Sequence, residues 1–143
     1  MTQTASQILA DMVLVLRETG AFALVTLGQS ASATETPRAA VICEGQDKLT
    51  PDDTSGNTWT RLRASIRIRT RSSDATEATN RILGLCEQAA TALLDDPHRG
   101  GLCHDLPIGK ATAIGQGQLD HDLRRPEAGA TLDVRCHFET EQT

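Results

Sequence analysis

Aromatic side chains are nearly missing from this chain: one Trp, two Phe and no Tyr in 143 residues. Platforms that stack the bases of single-stranded nucleic acid are built from such rings, so that mode of recognition is disfavoured. Paired cysteines are missing too. Cys43, Cys86, Cys103 and Cys136 are scattered, with no C-x-x-C pair, and read as free thiols in a reducing cytosol. Nor is there a long apolar run. The window Ile8–Leu16 is interrupted by Asp11, follows no basic residue, and is too short to span a bilayer. No signal peptide and no membrane contact are expected.

The common chemical motifs fail at named positions. Gly109-Lys110-Ala111-Thr112 lacks the Walker pattern, with His104 where a Gly is required and Ala111 where a Ser or Thr must follow the lysine. Gly115-Gln116-Gly117 has Asp120 where a third glycine would stand. His98, Cys103 and His104 share a loop, and His121 and His137 lie further on. A structural zinc site wants two closely spaced ligand pairs, whereas Cys103 and His104 are adjacent and no second pair exists. Asp52-Asp53 and Asp95-Asp96 have no convergent set of groups around them. A Cys103–His nucleophile is the one catalytic alternative. The expectation is therefore a protein that is not an enzyme and holds no cofactor or metal.

What is present is a strand of unusual charge. In Trp59–Arg71, WTRLRASIRIRTR, alternation puts Leu62, Ala64, Ile66, Ile68 and Thr70 on one face. Arg61, Arg63, Ser65, Arg67, Arg69 and Arg71 fall on the other. The first row belongs in a core. The second is too costly to bury unpaired and must meet water, carboxylates or phosphate. The net charge is −5, and five of the twelve arginines sit in this run, leaving about −10 on the remainder. Such a bipolar chain suits self-association or an acidic protein partner better than a grip on nucleic acid. Arg61, Arg63, Arg67, Arg69 and Arg71 are the candidate interface. A solvated outer face and a small nucleic-acid-binding module remain as alternatives.

Around this strand the pattern predicts seven elements. Thr4–Gln7 suggests a capping box before a helix with Ile8, Met12, Val13 and Leu16 on one stripe, ending at Gly20. Strands follow at Ala21–Gly28 and Arg38–Glu44, then a surface loop at Gln46–Asn57 carrying Asp47, Asp52 and Asp53. Asp74 and Glu77 open a second helix running to Leu94, with Ala75, Ala78, Ile82, Leu85, Cys86, Ala89 and Leu93 inward. Residues 98–110 read as loop, Lys110–Leu119 as a Gly-interrupted strand, and Arg124–Gly129 as a turn. Leu132, Val134, Cys136 and Phe138 then alternate with polar residues in a last strand. The expected fold is a single α+β domain over 1–143, with flexible ends at 1–4 and 140–143. Its order is α-β-β-β-α-β-β, with two helices on one face of a mainly antiparallel sheet.

This order, with the run Trp59–Ile68, the segment Ser73-Asp74-Ala75-Thr76-Glu77-Ala78, Ile82–Leu85, Ala92–Leu94 and the closing Leu132–Phe138, resembles the tail-terminator (tail-completion) proteins of long-tailed bacteriophages. The resemblance covers about residues 5–139, without a diagnostic signature; head–tail connector and neck proteins share much of it. It implies a minor tail protein of the virion, made in the host bacterial cytoplasm, that forms a homo-oligomeric ring, usually a hexamer. Such a ring caps the tail tube and joins it to the head–tail connector proteins. DNA passes through without specific binding, which the net negative charge suits. The arginine face would then meet acidic surface on a neighbouring subunit or on the tube protein. Loops Gln46–Asn57 and Pro97–Lys110 would make axial contacts.

Overall fold

The structure, a computed structural model, describes residues 3–28, 35–49, 58–71, 74–96, 112–114 and 127–140. Its elements are α1 (Gln3–Glu18), β1 (Leu24–Leu27), β2 (Arg38–Leu49), β3 (Thr58–Arg71), α2 (Ala75–Leu94), β4 (Thr112–Ile114) and β5 (Glu127–Thr140). The five strands form one sheet in the order β1-β2-β3-β5-β4. Only β1 and β2 pair in parallel; the other three ladders are antiparallel. The expected α+β class and element order are observed.

Helix α1 forms because Ala5, Ile8, Leu9, Met12, Val13 and Leu16 recur on one stripe, and all six are buried. That stripe starts at Ala5, one turn before Ile8. Gln3 and Thr4 therefore lie inside the helix, not in a flexible end with a cap at Thr4. Its far end closes at Gly20, whose φ of +72° suits a residue without a Cβ. Thr19 Oγ1 donates to the carbonyl of Leu16 at 2.7 Å there. Arg17, in the last turn, donates from Nε and Nη2 to the carbonyl of Val25 at 3.3 and 3.0 Å. One side chain thus ties the helix end to β1.

Helix α2 starts where expected. Asp74 is its N-cap in extended geometry, and its side chain accepts from the Thr76 N–H at 3.1 Å. Glu77 pairs with Arg81 one turn on, at 3.0 Å. Ala78, Ile82, Leu85, Cys86, Ala89 and Leu93 are buried. α1 lies on β1 and β2, α2 on β3 and β5, and the helices touch each other. Both cover the same sheet face, the one carrying Leu62, Ala64, Ile66 and Ile68. Opposite those lie Ala39 and Val41 on β2, and Ala130, Leu132, Val134 and Cys136 on β5, all buried. Each large apolar side chain buried here contributes about 1.5–3 kcal/mol of transfer free energy.

The boundaries of β1, β2 and β5 differ from expectation. β1 is Leu24–Leu27, because Gly28 at φ +84° breaks it and Ala21–Ala23 precede it as irregular chain. β5 begins at Glu127, so the last residues of the expected turn are strand. The 14-residue β3 offers them partners, and Ala128 opposite Thr70 is buried. Thr140, expected in a flexible end, closes β5 opposite Thr58. Within Lys110–Leu119 the described strand is Thr112–Ile114. The largest difference is β2, which runs past Glu44 to Leu49.

Candidate docking face

The sheet face away from the helices carries the arginine row, as alternation requires. Arg61, Arg67, Arg69 and Arg71 are half-buried and Arg63 is exposed. In register, Arg67 stands between Ala40 and Thr131, Arg69 between Arg38 and Gly129, and Arg63 directly opposite Arg135. Like charges set opposite one another oppose the pairing that places them there.

The extended β2 supplies the compensation. Cys43 pairs with Ala64 but Gly45 pairs with Arg63, so Glu44 is an extra residue, a β-bulge. Gly45 adopts φ +146°, and a Cβ built there would lie 2.9 Å from Arg63 Nη2. Beyond the bulge the parity of the strand changes. In an unbroken alternation Asp47 would share a face with Ala39, Val41 and Cys43; instead it stands opposite Arg61 on the arginine face. Asp47 Oδ2 receives Arg61 Nη2 and Arg63 Nε, each at 3.0 Å. Its pKa lies below the ordinary 3.8, chiefly through the hydrogen bond from Arg61 and then through the nearby guanidinium charges. Glu44 Oε1 accepts from Ser65 Oγ at 2.6 Å, and Ser65 is only 1% exposed although it lies on the open face. Asp133 lies opposite Ser65 on β5, on the same face.

Two expectations are corrected by this geometry. Asp47 is a strand residue bound to the arginine row, not a residue of a loop at Gln46–Asn57. The negative charge is also not all elsewhere: Glu44, Asp47 and Asp133 stand on the arginines' own face. The sequence signal for both was an isolated glycine inside a strand-like stretch, which marks a bulge as readily as a strand end.

The remaining candidates do not converge. Cys43 is exposed, Cys86 and Cys136 are buried, and all three are free thiols. Burial raises the Cys86 pKa, which keeps that thiol protonated and unreactive. Cys103, His98, His104, His121, Asp52, Asp53, Lys110 and the loops 50–57 and 97–111 lie outside the described residues. Among the described residues, no three His, Cys, Asp or Glu side chains cluster as metal ligands. No described helix is long and apolar enough to cross a membrane.

No family model matches the chain, and no curated protein matches it. Among solved structures it is similar to a chain of the "Virion of native gene transfer agent (GTA) particle", at 13% identity and a TM-score of 0.45, covering 92% of each chain. A likeness this distant does not define a function.

Proposed function

We propose that the chain is a non-enzymatic structural component of a phage-type virion, made in the host bacterial cytoplasm. In this reading it is a tail terminator that closes into a hexameric ring, caps the tail tube and joins it to the head connector. The observation that carries this reading is the open sheet face. A long sheet presents arginines and carboxylates together on one side, the chemistry of an ionic contact between subunits. The element order α-β-β-β-α-β-β supports it too, being the order on which the resemblance to tail terminators rests. Three carboxylates within the arginine field, Glu44, Asp47 and Asp133, weigh against a phosphate-binding surface for nucleic acid.

The test is a capping assay. Purified protein added to polymerising tail-tube protein from the same genome should limit tube length and sit at tube ends in electron micrographs. Tubes of unchanged length, with none of the protein bound, would overturn the reading.

A further inference from the structure

The two outer surfaces of the molecule carry charge of opposite sign. The open sheet face holds seven arginines, the five of β3 with Arg38 and Arg135, against five carboxylates, Glu44, Asp47, Asp133, Glu127 and Glu139. The helix layer on the other side, Gln3–Glu18 with Asp74–Asp96, holds seven carboxylates against two arginines. Each surface also carries charge that its own copy leaves unrelieved. Arg135 is exposed, stands opposite Arg63, and has no hydrogen-bond or ion-pair partner among the described residues. On α2 the side chains of Glu87 and Asp95 are exposed and likewise without a partner among the described residues. With Thr91 between them they form one row at intervals of four, about 12 Å long, turned away from the sheet. Asp95 is the C-cap, where the helix dipole is negative, and the last turn holds no basic residue to offset it. Its carboxylate opposes the helix end within one copy, as one arginine opposes another across the sheet. A groove beside the row is lined by Thr19 from the end of α1 and by Gly84, Gln88 and Ala92, small or polar side chains that leave room for a long one.

We propose that the open sheet face of one copy docks on the outer face of α2 of a second copy, head to tail, with Arg63 and Arg135 against the row of Glu87 and Asp95. The sign of the two surfaces selects this arrangement. Sheet against sheet sets an arginine excess on itself, and helix layer against helix layer sets carboxylates on carboxylates. Sheet against helix layer brings opposite charges together and relieves both the arginine pair and the acidic helix end. The side chains keep the capacity for it: Arg63 uses Nε on Asp47, which leaves its Nη groups to the partner. A contact between two different faces is heterologous, and its repetition closes into a ring where the rotation from copy to copy divides a full turn. The proposal thus rests on the ring reading above and names the neighbour's surface that the arginine face meets. It is built from exposed charges, so each pair is weak and is screened by salt.

A charge-swap mixing experiment tests it. The sheet variant is Arg135→Glu, and the helix variant is Glu87→Arg with Asp95→Arg. The first sets a carboxylate opposite Arg63 and the second sets cations toward the helix C-terminus, so thermal melts should show both folded and no less stable than wild type. Sedimentation of the wild-type chain at low salt should show association that weakens as salt rises. Each variant alone should associate at least about tenfold more weakly, because its two faces now repel. Their equimolar mixture should recover association, since the two variants alternate with every contact between opposite charges. Should either fail to fold, Arg135→Gln and the pair Glu87→Gln with Asp95→Asn must each still weaken association. A wild-type chain that stays monomeric at every concentration and salt, a helix variant that associates as wild type does, or a mixture no better than its parts would each overturn the proposal. If tail tubes are still capped after such a result, the virion reading stands and its subunits meet through other surfaces. If the swaps behave as expected and tubes are not capped, the contact stands without the virion role.

Discussion

The two faces of β3 are built from the same thirteen-residue run and obey different rules. On the helix side Leu62, Ala64, Ile66 and Ile68 are all buried, facing buried Ala39 and Val41 across one ladder and Ala130, Leu132, Val134 and Cys136 across the other. Position on that side is decided by removal from water, and any apolar side chain of suitable size satisfies it. On the open side burial decides little and register decides nearly everything. Arg61 and Arg63 are paired because a bulge in β2 carries Asp47 opposite Arg61, whereas Arg135 stands opposite another arginine. One face is specified by composition, the other by counting residues.

The strongest way to break this contrast is to move the chemistry of one face to the other. Ile66→Asp puts an unpaired carboxylate at a site with no solvent exposure and should unfold the chain, a loss of more than about 4 kcal/mol by denaturant titration. A folded variant of near wild-type stability would show that the inner face is not the core. Leu62→Ala, at an equally buried site beside the Asp47 cluster, should cost about 2–5 kcal/mol while leaving the charged face in place. Thr70 probes a flaw of the inner face. Its Oγ1 is buried with no hydrogen-bond partner among the described residues, so Thr70→Val should raise stability by about 1 kcal/mol, and a loss of that size would mean the hydroxyl is satisfied.

The smallest effect belongs to the outer face and depends on pH. The folded pKa of Asp47 is depressed, so its contribution is fully present above the unfolded value near 3.8 and disappears as pH falls through the folded value. Asp47→Asn should therefore melt slightly below wild type at pH 7, by less than Leu62→Ala does, and the two curves should converge in the acid range below 3.8. A gap that persists unchanged at the lowest pH would assign the loss to something other than the carboxylate charge.

This difference in rules also explains what could be read from the residues alone. The inner row of β3, the α1 stripe from Ile8 to Leu16 and the α2 cap at Asp74 were legible because burial and capping leave period and residue type as their signature. The arginine row was legible as a row. Its partners were not, because the pairing of Asp47 depends on one extra residue at Glu44, and a Gly in a polar stretch signals a strand end equally well. The early start of β5 was hidden for a related reason. Glu127-Ala128-Gly129 has turn composition, and only a long β3 waiting beside it makes a strand of it.

The bulge has a genetic consequence as well. Deleting one residue from the middle of a strand ordinarily turns every following side chain to the wrong face, so length changes in families collect in loops. Deleting Gly45 would instead bring Glu44 opposite Arg63 and leave Gln46–Leu49 on their present partners. The centre of this sheet therefore holds a place where the gene can lose a codon in frame without changing the register of any residue beyond it.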